Sequence, residues 1–308
     1  MTDLEKVSAE VFDLYQRNRY EEALEVARGV AAEFPARSSY WTACLLAVQG
    51  KGQEALDALT NGLRHGAWWP SLMLEQDSDL DSIRDSPEFA RIEAESDSRW
   101  RQAFRPQPSI LIYPPSASPS GVLLIALHGS AGEPATDFAQ HWHAARDQGA
   151  FVVVPQSSQP YGPEGGWTWA DDDRTRRDLR LVYDRARQET GTDPDEVILS
   201  GFSQGGRVAI SSAVTHYPIS VSGFIAVAPA VRDHPIADQL GKGGPSIRGW
   251  ITVGQNDWVL EPATSLHEAA ISQSQDWHLD IVPNVAHDFP LDFDDHLIEA
   301  LAFITTRS

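Results

Sequence analysis

From about residue 106 onward, short apolar runs alternate with longer segments in which apolar residues recur every three or four positions. The short runs are rich in β-branched residues, as buried parallel strands are, and the longer segments have the spacing of amphipathic helices. The predicted strands are residues 110–113, 122–127, 151–154, 197–199, 224–228, 250–253 and 279–282, and the predicted helices are 137–148, 174–190, 206–216, 264–274 and 294–306. This alternation predicts an α/β fold with a mainly parallel sheet covered by helices on both faces.

The first hundred residues show helical spacing throughout. Predicted helices begin near Leu4, cover residues 20–34, 38–49 and 53–65, and end with a last helix that stops near Trp100. The run Arg105-Pro106-Gln107-Pro108 then interrupts the pattern. We therefore predict a small all-α domain over residues 1–105 and a catalytic domain over residues 106–308.

A short internal repeat occurs within the helical part. Glu22-Ala23-Leu24 recurs as Glu54-Ala55-Leu56, an offset of 32 residues (55 − 23), and both copies open a predicted helix. The period resembles the repeat of about 34 residues found in tetratricopeptide proteins. The resemblance implies a scaffold that recruits a protein partner or self-associates. A helical cap that binds nothing is an equal alternative.

Composition narrows the class of protein. Of the 308 residues, 42% are hydrophobic, which is enough for a sizeable core, and the formal net charge of −20 argues against nucleic acid or an anionic membrane surface as a partner. The single cysteine, Cys44, cannot form an internal disulfide. The chain shows no signal-peptide core and no apolar run of membrane-spanning length, so we expect a soluble cytoplasmic protein.

The most informative stretch is residues 201–205, Gly-Phe-Ser-Gln-Gly, which lie between a predicted strand and a predicted helix. The spacing fits G-x-S-x-G, a sharp turn in which backbone crowds backbone, so that Gly201 and Gly205 must lack side chains. Ser203 is thereby raised above the sheet, at the positive end of the following helix. A small-residue turn without chemistry is the alternative, but the context makes Ser203 the predicted nucleophile.

Two later loops supply partners for Ser203. Asp257 follows the sixth predicted strand and His287 follows the seventh, which gives the order serine, acid, histidine. An acid at Asp257 would fix the tautomer of the imidazole, and the imidazole would accept the serine proton. Asp276 and Asp280 lie at another edge or within a strand and are weaker alternatives.

Two backbone amides are expected to bind the oxyanion, one from an early loop and one from the residue after the nucleophile. The second predicted strand ends at Leu127 and is followed by His-Gly-Ser-Ala-Gly over residues 128–132. Small residues there allow a backbone amide to face the developing negative charge. We assign one oxyanion amide to Ser130 and the other to Gln204, and we expect His128 to hold the loop.

These stretches together resemble the phospholipase/carboxylesterase family of α/β-hydrolases, which includes acyl-protein thioesterases and short-chain carboxylesterases. The similarity covers about residues 109–308, and Gly-Phe-Ser-Gln-Gly-Gly at 201–206 is its most specific part. The roles implied by the resemblance are nucleophile for Ser203, acid for Asp257, base for His287, and oxyanion amides for Ser130 and Gln204. The sequence departs from the family pattern in two places. The His-Gly loop continues with Ser-Ala-Gly-Glu, which leaves both Ser130 and Ala131 as candidates for the second oxyanion amide. Ala286 replaces the usual glycine before His287.

The expected activity is that of a serine carboxylesterase that acts on a small-molecule ester through an acyl-enzyme, without a metal or another cofactor. Trp167, Trp169 and Trp258 lie near the ends of predicted strands and are expected to line the substrate pocket, with packing beneath loops as the alternative. Three other functions stay open: a thioesterase or a serine peptidase on the same fold, and an inert interaction protein that uses residues 1–105.

Overall fold

The computed structural model describes residues 3–132, 134–191, 193–231, 236–240 and 246–306. The chain divides into two compact units. The helical unit contains Met1–Phe104 and also the Pro160–Gly166 segment, and the sheet unit contains Arg105–Gln159 and Trp167–Ser308. None of the helices in the described part of the chain combines the length and the apolar character needed to cross a bilayer.

The helical unit is built from short helices around one apolar core. These are α1 (Asp3–Gln16), α2 (Tyr20–Gly29), α3 (Pro35–Ala47), α4 (Gly52–Arg64), α5 (Ser71–Gln76), α6 (Asp81–Arg84) and α7 (Pro87–Gln102). Leu24, Leu45 and Leu59 lie in this core. Helix α2 ends five residues before the predicted end at residue 34, because the chain turns over residues 30–33.

The sheet unit contains β1 (Ser109–Tyr113), β2 (Val122–Leu127), β3 (Phe151–Gln156), the two-residue strand β5 (Trp167–Thr168), β6 (Glu196–Phe202), β7 (Gly223–Val227), β8 (Arg248–Gly254) and β9 (Trp277–Val282). The two-residue strand β4 (Gln159–Pro160) ends on the first residue of the Pro160–Gly166 segment. Its helices are α8 (Ala135–Phe138), α9 (Ala144–Asp147), α10 (Asp172–Thr190), α11 (Gln204–Thr215), α12 (Leu260–Ser272) and α13 (Phe293–Thr305).

The main sheet has seven strands in the order β1-β3-β2-β6-β7-β8-β9. Strand β1 is antiparallel to β3, and the other pairs are parallel. The strand order reverses between β2 and β6. Ligands of open α/β sheets bind at the carboxyl ends of the strands beside such a reversal, so the loops after β2 and β6 are where a site is expected.

Both faces of the sheet are buried. Along β2, Leu123, Ile125 and Leu127 enter one apolar core, whereas Leu124 and Ala126 enter the core on the opposite face. Because successive strand side chains point to opposite faces, a strand covered on both sides reads as an unbroken apolar run. This is the pattern that made the strands visible in the sequence, and the predicted fold class is confirmed.

One predicted helix of this unit is wrong. Residues 137–148 do not form a continuous helix but are divided into α8, a turn of 3₁₀-helix (Ala139–Trp142) and α9. Phe138 and Trp142 are both buried there and both contact Phe289. Packing of these rings outweighs the intrinsic preference of the segment for a regular helix.

Candidate active site

The serine turn is shaped by the close approach of three backbone segments. Ser203 lies between β6 and α11 with φ 51° and ψ −113°, a conformation that side-chain-bearing residues rarely adopt. A Cβ atom on Gly205 would lie 2.1 Å from the carbonyl oxygen of Leu127, and one on Gly201 would lie 2.5 Å from the backbone of Gly205. Glycine is therefore required at both positions, as the G-x-S-x-G spacing predicts.

Ser203, His287 and Asp257 form one connected line. The Nε2 atom of His287 lies 2.9 Å from the Oγ atom of Ser203, and its Nδ1 atom lies 3.0 Å from both carboxylate oxygens of Asp257. With Nδ1–H donating to the carboxylate, Nε2 is left to accept the serine hydrogen. The side chain of Asp257 is fully buried, whereas a quarter of the His287 side chain is exposed.

The loops after β8 and β9 hold the acid and the imidazole in place. The backbone N–H groups of Gln255 and Asn256 donate to Val282 and Val285 at 2.8 and 2.9 Å. A Cβ atom on Gly254 would lie 2.3 Å from the Val285 oxygen, so glycine permits this approach. The carboxylate of Asp257 also accepts the Val259 N–H at 3.0 Å, which fixes its orientation.

The backbone amides of the serine turn and of the loop after β2 differ in whether they already donate a hydrogen bond. The Ser203 N–H donates to Val227, and the Gly132 N–H donates to Trp167. Within the described residues, the N–H groups of Gln204, Ser130 and Ala131 donate to no backbone acceptor. These three amides are the candidates for an oxyanion hole, and the choice between Ser130 and Ala131 stays open.

His128 supports the loop after β2, which carries the amides of Ser130 and Ala131. Its ring is buried, its Nδ1 atom lies 2.7 Å from the Gly129 oxygen, and its Nε2 atom accepts the Ser157 N–H at 3.2 Å. Burial lowers the pKa of His128 to about 4, so the ring is neutral at physiological pH. A neutral ring with both nitrogens engaged holds the loop in a fixed position.

The three tryptophans named from the sequence lie in different surroundings. Trp169 is fully buried and donates its indole N–H to the His128 carbonyl at 3.0 Å, so it packs beneath the loop and does not line an open pocket, contrary to our expectation. Trp167 is partly exposed, with the Arg105 guanidinium 3.9 Å from its ring. Trp258 is about half exposed, and its ring centre lies 5.0 Å from that of His287.

Sequence reasoning missed two contacts at this site. The side-chain oxygen of Gln204 accepts hydrogen bonds from Thr168 and Trp169 at 2.9 and 2.8 Å, which ties the loop at β5 to the serine turn. In addition, Phe289 stacks on Phe202 at 4.9 Å, and Phe202 lies 5.1 Å from the His287 ring. The only sequence signal was position, since Phe202 precedes the serine and Phe289 follows the histidine by two residues.

Comparison with known proteins agrees with this architecture. A family model described as "A/B hydrolase-like, N-terminal domain" matches residues 4–104, and one described as "Serine aminopeptidase, S33" matches residues 157–248. The chain has the α/β-hydrolase fold. The predicted resemblance to these enzymes is confirmed, whereas the tetratricopeptide resemblance of the helical part stays a prediction.

Individual relatives of this chain are distant or partial. The bifunctional acetylxylan esterase/xylanase XynS20E of Neocallimastix patriciarum is 36% identical over 102 residues, which are 32% of this chain but only 14% of that protein. An uncharacterized protein from Bacillus cereus ATCC 10987 matches over the whole of both chains at 25% identity, with a TM-score of 0.55. Esterase PE8 has the same fold at 19% identity and a TM-score of 0.55, covering 64% of this chain and 99% of that one.

Proposed function

We propose that this α/β-hydrolase is a serine carboxylesterase in which Ser203, His287 and Asp257 act as nucleophile, base and orienting acid. The observation that carries the proposal is the position of the His287 ring, with Nε2 at 2.9 Å from the serine oxygen and Nδ1 at 3.0 Å from the carboxylate. This spacing lets a proton leave the hydroxyl while the buried carboxylate stabilises the resulting imidazolium.

The proposed reaction has two steps. The Ser203 oxygen attacks the ester carbonyl, His287 takes the serine proton, and the amide of Gln204 together with that of Ser130 or Ala131 binds the oxyanion. When the C–O bond breaks, His287 protonates the departing alcohol and an acyl-serine remains. Water then attacks the acyl-serine as His287 takes its proton, and collapse returns that proton to Ser203 and releases the carboxylic acid.

The substrate class is proposed to be esters with a short acyl group. The similarity to a protein whose name includes acetylxylan esterase supports this choice over 102 residues of the chain. The half-exposed ring of Trp258 beside His287 offers an apolar surface for an acyl or alcohol group.

A second candidate is a serine peptidase, because residues 157–248 match the family model described as a serine aminopeptidase. Amide hydrolysis would use the same serine, imidazole and carboxylate but must protonate a poorer leaving group. Parallel assays with p-nitrophenyl acetate, an acyl thioester and a peptide amide would separate esterase, thioesterase and peptidase.

The proposal is tested by labelling the enzyme with a fluorophosphonate probe and by measuring hydrolysis of p-nitrophenyl acetate. The wild-type enzyme should be labelled at Ser203. The variant Ser203→Ala should lose labelling and, by analogy with other serine hydrolases, about 10⁶-fold in kcat.

Ser211→Ala is the matched control, because Ser211 lies two turns further along the same helix. It should label and turn over like the wild-type enzyme. Labelling that persists in Ser203→Ala, or a wild-type enzyme that hydrolyses none of the three substrate types, would contradict the proposal.

A further inference from the structure

A cavity that plays no part in the proposed esterase function lies within the helical unit. Its volume is about 280 Å³, and it opens between α1, α3 and the chain segment after α5. The aromatic residues that line it are Phe12, Tyr15, Tyr40 and Trp41. Phe12 keeps 61% of its surface exposed, which is unusual for a phenylalanine on a helix whose other large apolar residues are buried or half-buried. An aromatic ring is thus held at the mouth of the cavity.

Two carboxylates complete the lining. The Tyr15 hydroxyl donates to Asp79 at 2.6 Å, the Tyr40 hydroxyl donates to Asp77, and the Asp79 N–H donates to Asp77 at 3.0 Å. These bonds fix the orientation of both carboxylates.

The negative charge of this cavity has no cationic counterpart in its wall. None of the described lining residues is Lys, Arg or His. Burial raises the pKa of Asp79, with a further contribution from the neighbouring Asp77. A positive ligand would therefore relieve a real electrostatic cost.

We propose that this cavity binds a small organic ammonium ion, held by the aromatic faces and neutralised by Asp77 and Asp79. A cation over the face of Trp, Tyr or Phe is attracted by the ring quadrupole, and the attraction increases when the site excludes water. The carboxylates supply the opposite charge at one side of the same cavity.

A metal ion fits this lining less well. Among the described residues, Cys44, Asp77 and Asp79 bring their ligand atoms within 4.8 Å of one another. Burial raises the pKa of the Cys44 thiol well above its usual range, so the thiolate that a metal would need is disfavoured. The tyrosine hydroxyls already donate to both carboxylates, and aromatic walls add nothing to metal binding.

The test titrates the full-length protein with choline at constant ionic strength and follows the choline methyl signal by saturation-transfer NMR. Saturable binding is expected, and dimethylbutanol, the uncharged carbon isostere of choline, should bind at least about tenfold more weakly. Asp79→Asn should weaken choline binding about tenfold, because it removes one of the two facing charges.

Two further variants guard against misfolding and general charge effects. Phe12→Ala alters an exposed ring that the fold does not need, and it should weaken choline binding by about threefold or more. Asp13→Asn removes an equal charge from an exposed position on the same helix and should leave binding unchanged. Equal binding of choline and its isostere, no saturable binding, or binding of Zn²⁺ without choline would overturn the proposal.

Discussion

Single buried polar residues make the stability of this protein depend on pH, and His128 is the clearest case. Its neutral ring accepts one hydrogen bond and makes a second at its other nitrogen, and burial lowers its pKa from 6.5 to about 4. Between these two pH values the unfolded chain binds a proton that the folded protein does not bind. The free energy of unfolding must therefore fall as pH drops through this window, and the loss is complete only below the folded pKa.

We expect His128→Gln to flatten this pH dependence. The wild-type free energy of unfolding should fall by about 3 kcal/mol between pH 6.5 and pH 4 on account of this residue, and the variant should lack that part of the fall. Urea unfolding measured at several pH values checks the difference in slope. Parallel pH profiles for the two proteins would show that His128 is not the responsible group.

Truncation of Trp169 should mainly lower the stability of the protein, whereas truncation of Trp258 should mainly weaken substrate binding. Because Trp169 is fully buried and hydrogen-bonded to a backbone carbonyl, Trp169→Ala should lower the free energy of unfolding by about 3–5 kcal/mol. Trp258→Ala should cost less than about 1 kcal/mol but raise KM for short esters, since its ring lies beside His287. Thermal unfolding and steady-state kinetics on both variants distinguish the roles, and an unchanged KM would remove Trp258 from the substrate site.

Residue order along the chain was enough to predict which three side chains meet. Ser203, Asp257 and His287 each follow a strand that could be recognised by its apolar run, and parallel strands end at the same edge of the sheet. The surroundings of Trp169 were not predictable in this way. Its buried ring is bonded to the carbonyl of His128, 41 residues away, and local sequence carries no sign of that pairing.

At the scale of elements, α3 receives its N-terminal cap from a distant part of the chain. Phe34, at the N-cap position, provides no side-chain hydrogen bond, and the Ala36 and Arg37 N–H groups donate instead to the Glu164 carboxylate at 2.5 and 3.0 Å. A carboxylate at this end also interacts favourably with the helix dipole. Burial raises the pKa of Glu164, so the cap carries a desolvation cost as well as a gain.

We therefore expect Glu164→Ala to destabilise the protein by about 0.5–2 kcal/mol, as loss of an N-cap does, because two part-buried amides lose their acceptor. Glu164→Gln should cost less, since it retains a carbonyl acceptor and avoids burying a charge. Thermal unfolding of the three proteins at neutral pH checks the order. A Gln variant no more stable than the Ala variant would mean that the charge, not the hydrogen bonding, stabilises the helix.

The elements that sequence predicted best were those defined by burial on both faces. The prediction located all seven strands of the main sheet, and the five inner ones (β2, β3, β6, β7 and β8) are almost wholly buried, which gives them short, mainly apolar runs bounded by turn residues. The interrupted helix at α8 and α9 was missed because its bends follow from the packing of Phe138 and Trp142 around Phe289, which lies about 150 residues away. The cap on α3 was missed for the same reason.

At the scale of the whole molecule, the limit between the two units is not a single point in the sequence. A boundary near residue 105 could be proposed from the change of pattern, but nothing in the sequence indicated that the Pro160–Gly166 segment belongs to the helical unit. In the structure this segment carries Glu164, whose carboxylate caps α3, and Tyr161, whose ring lies 4.3 Å from the Arg37 guanidinium. Both contacts lie within the helical unit.

The backbone consequently passes from one unit to the other three times. A protease that cleaves between Phe104 and Arg105 would leave the capping carboxylate on the larger fragment. The hydrogen bonds from the start of α3 to Glu164 would then connect the two fragments. A gene fusion that joins residues 1–104 to a foreign enzyme would lack Glu164 and therefore the cap on α3. Recombination between relatives would have to exchange Met1–Phe104 and Pro160–Gly166 together to preserve the hydrogen bonds at the start of α3.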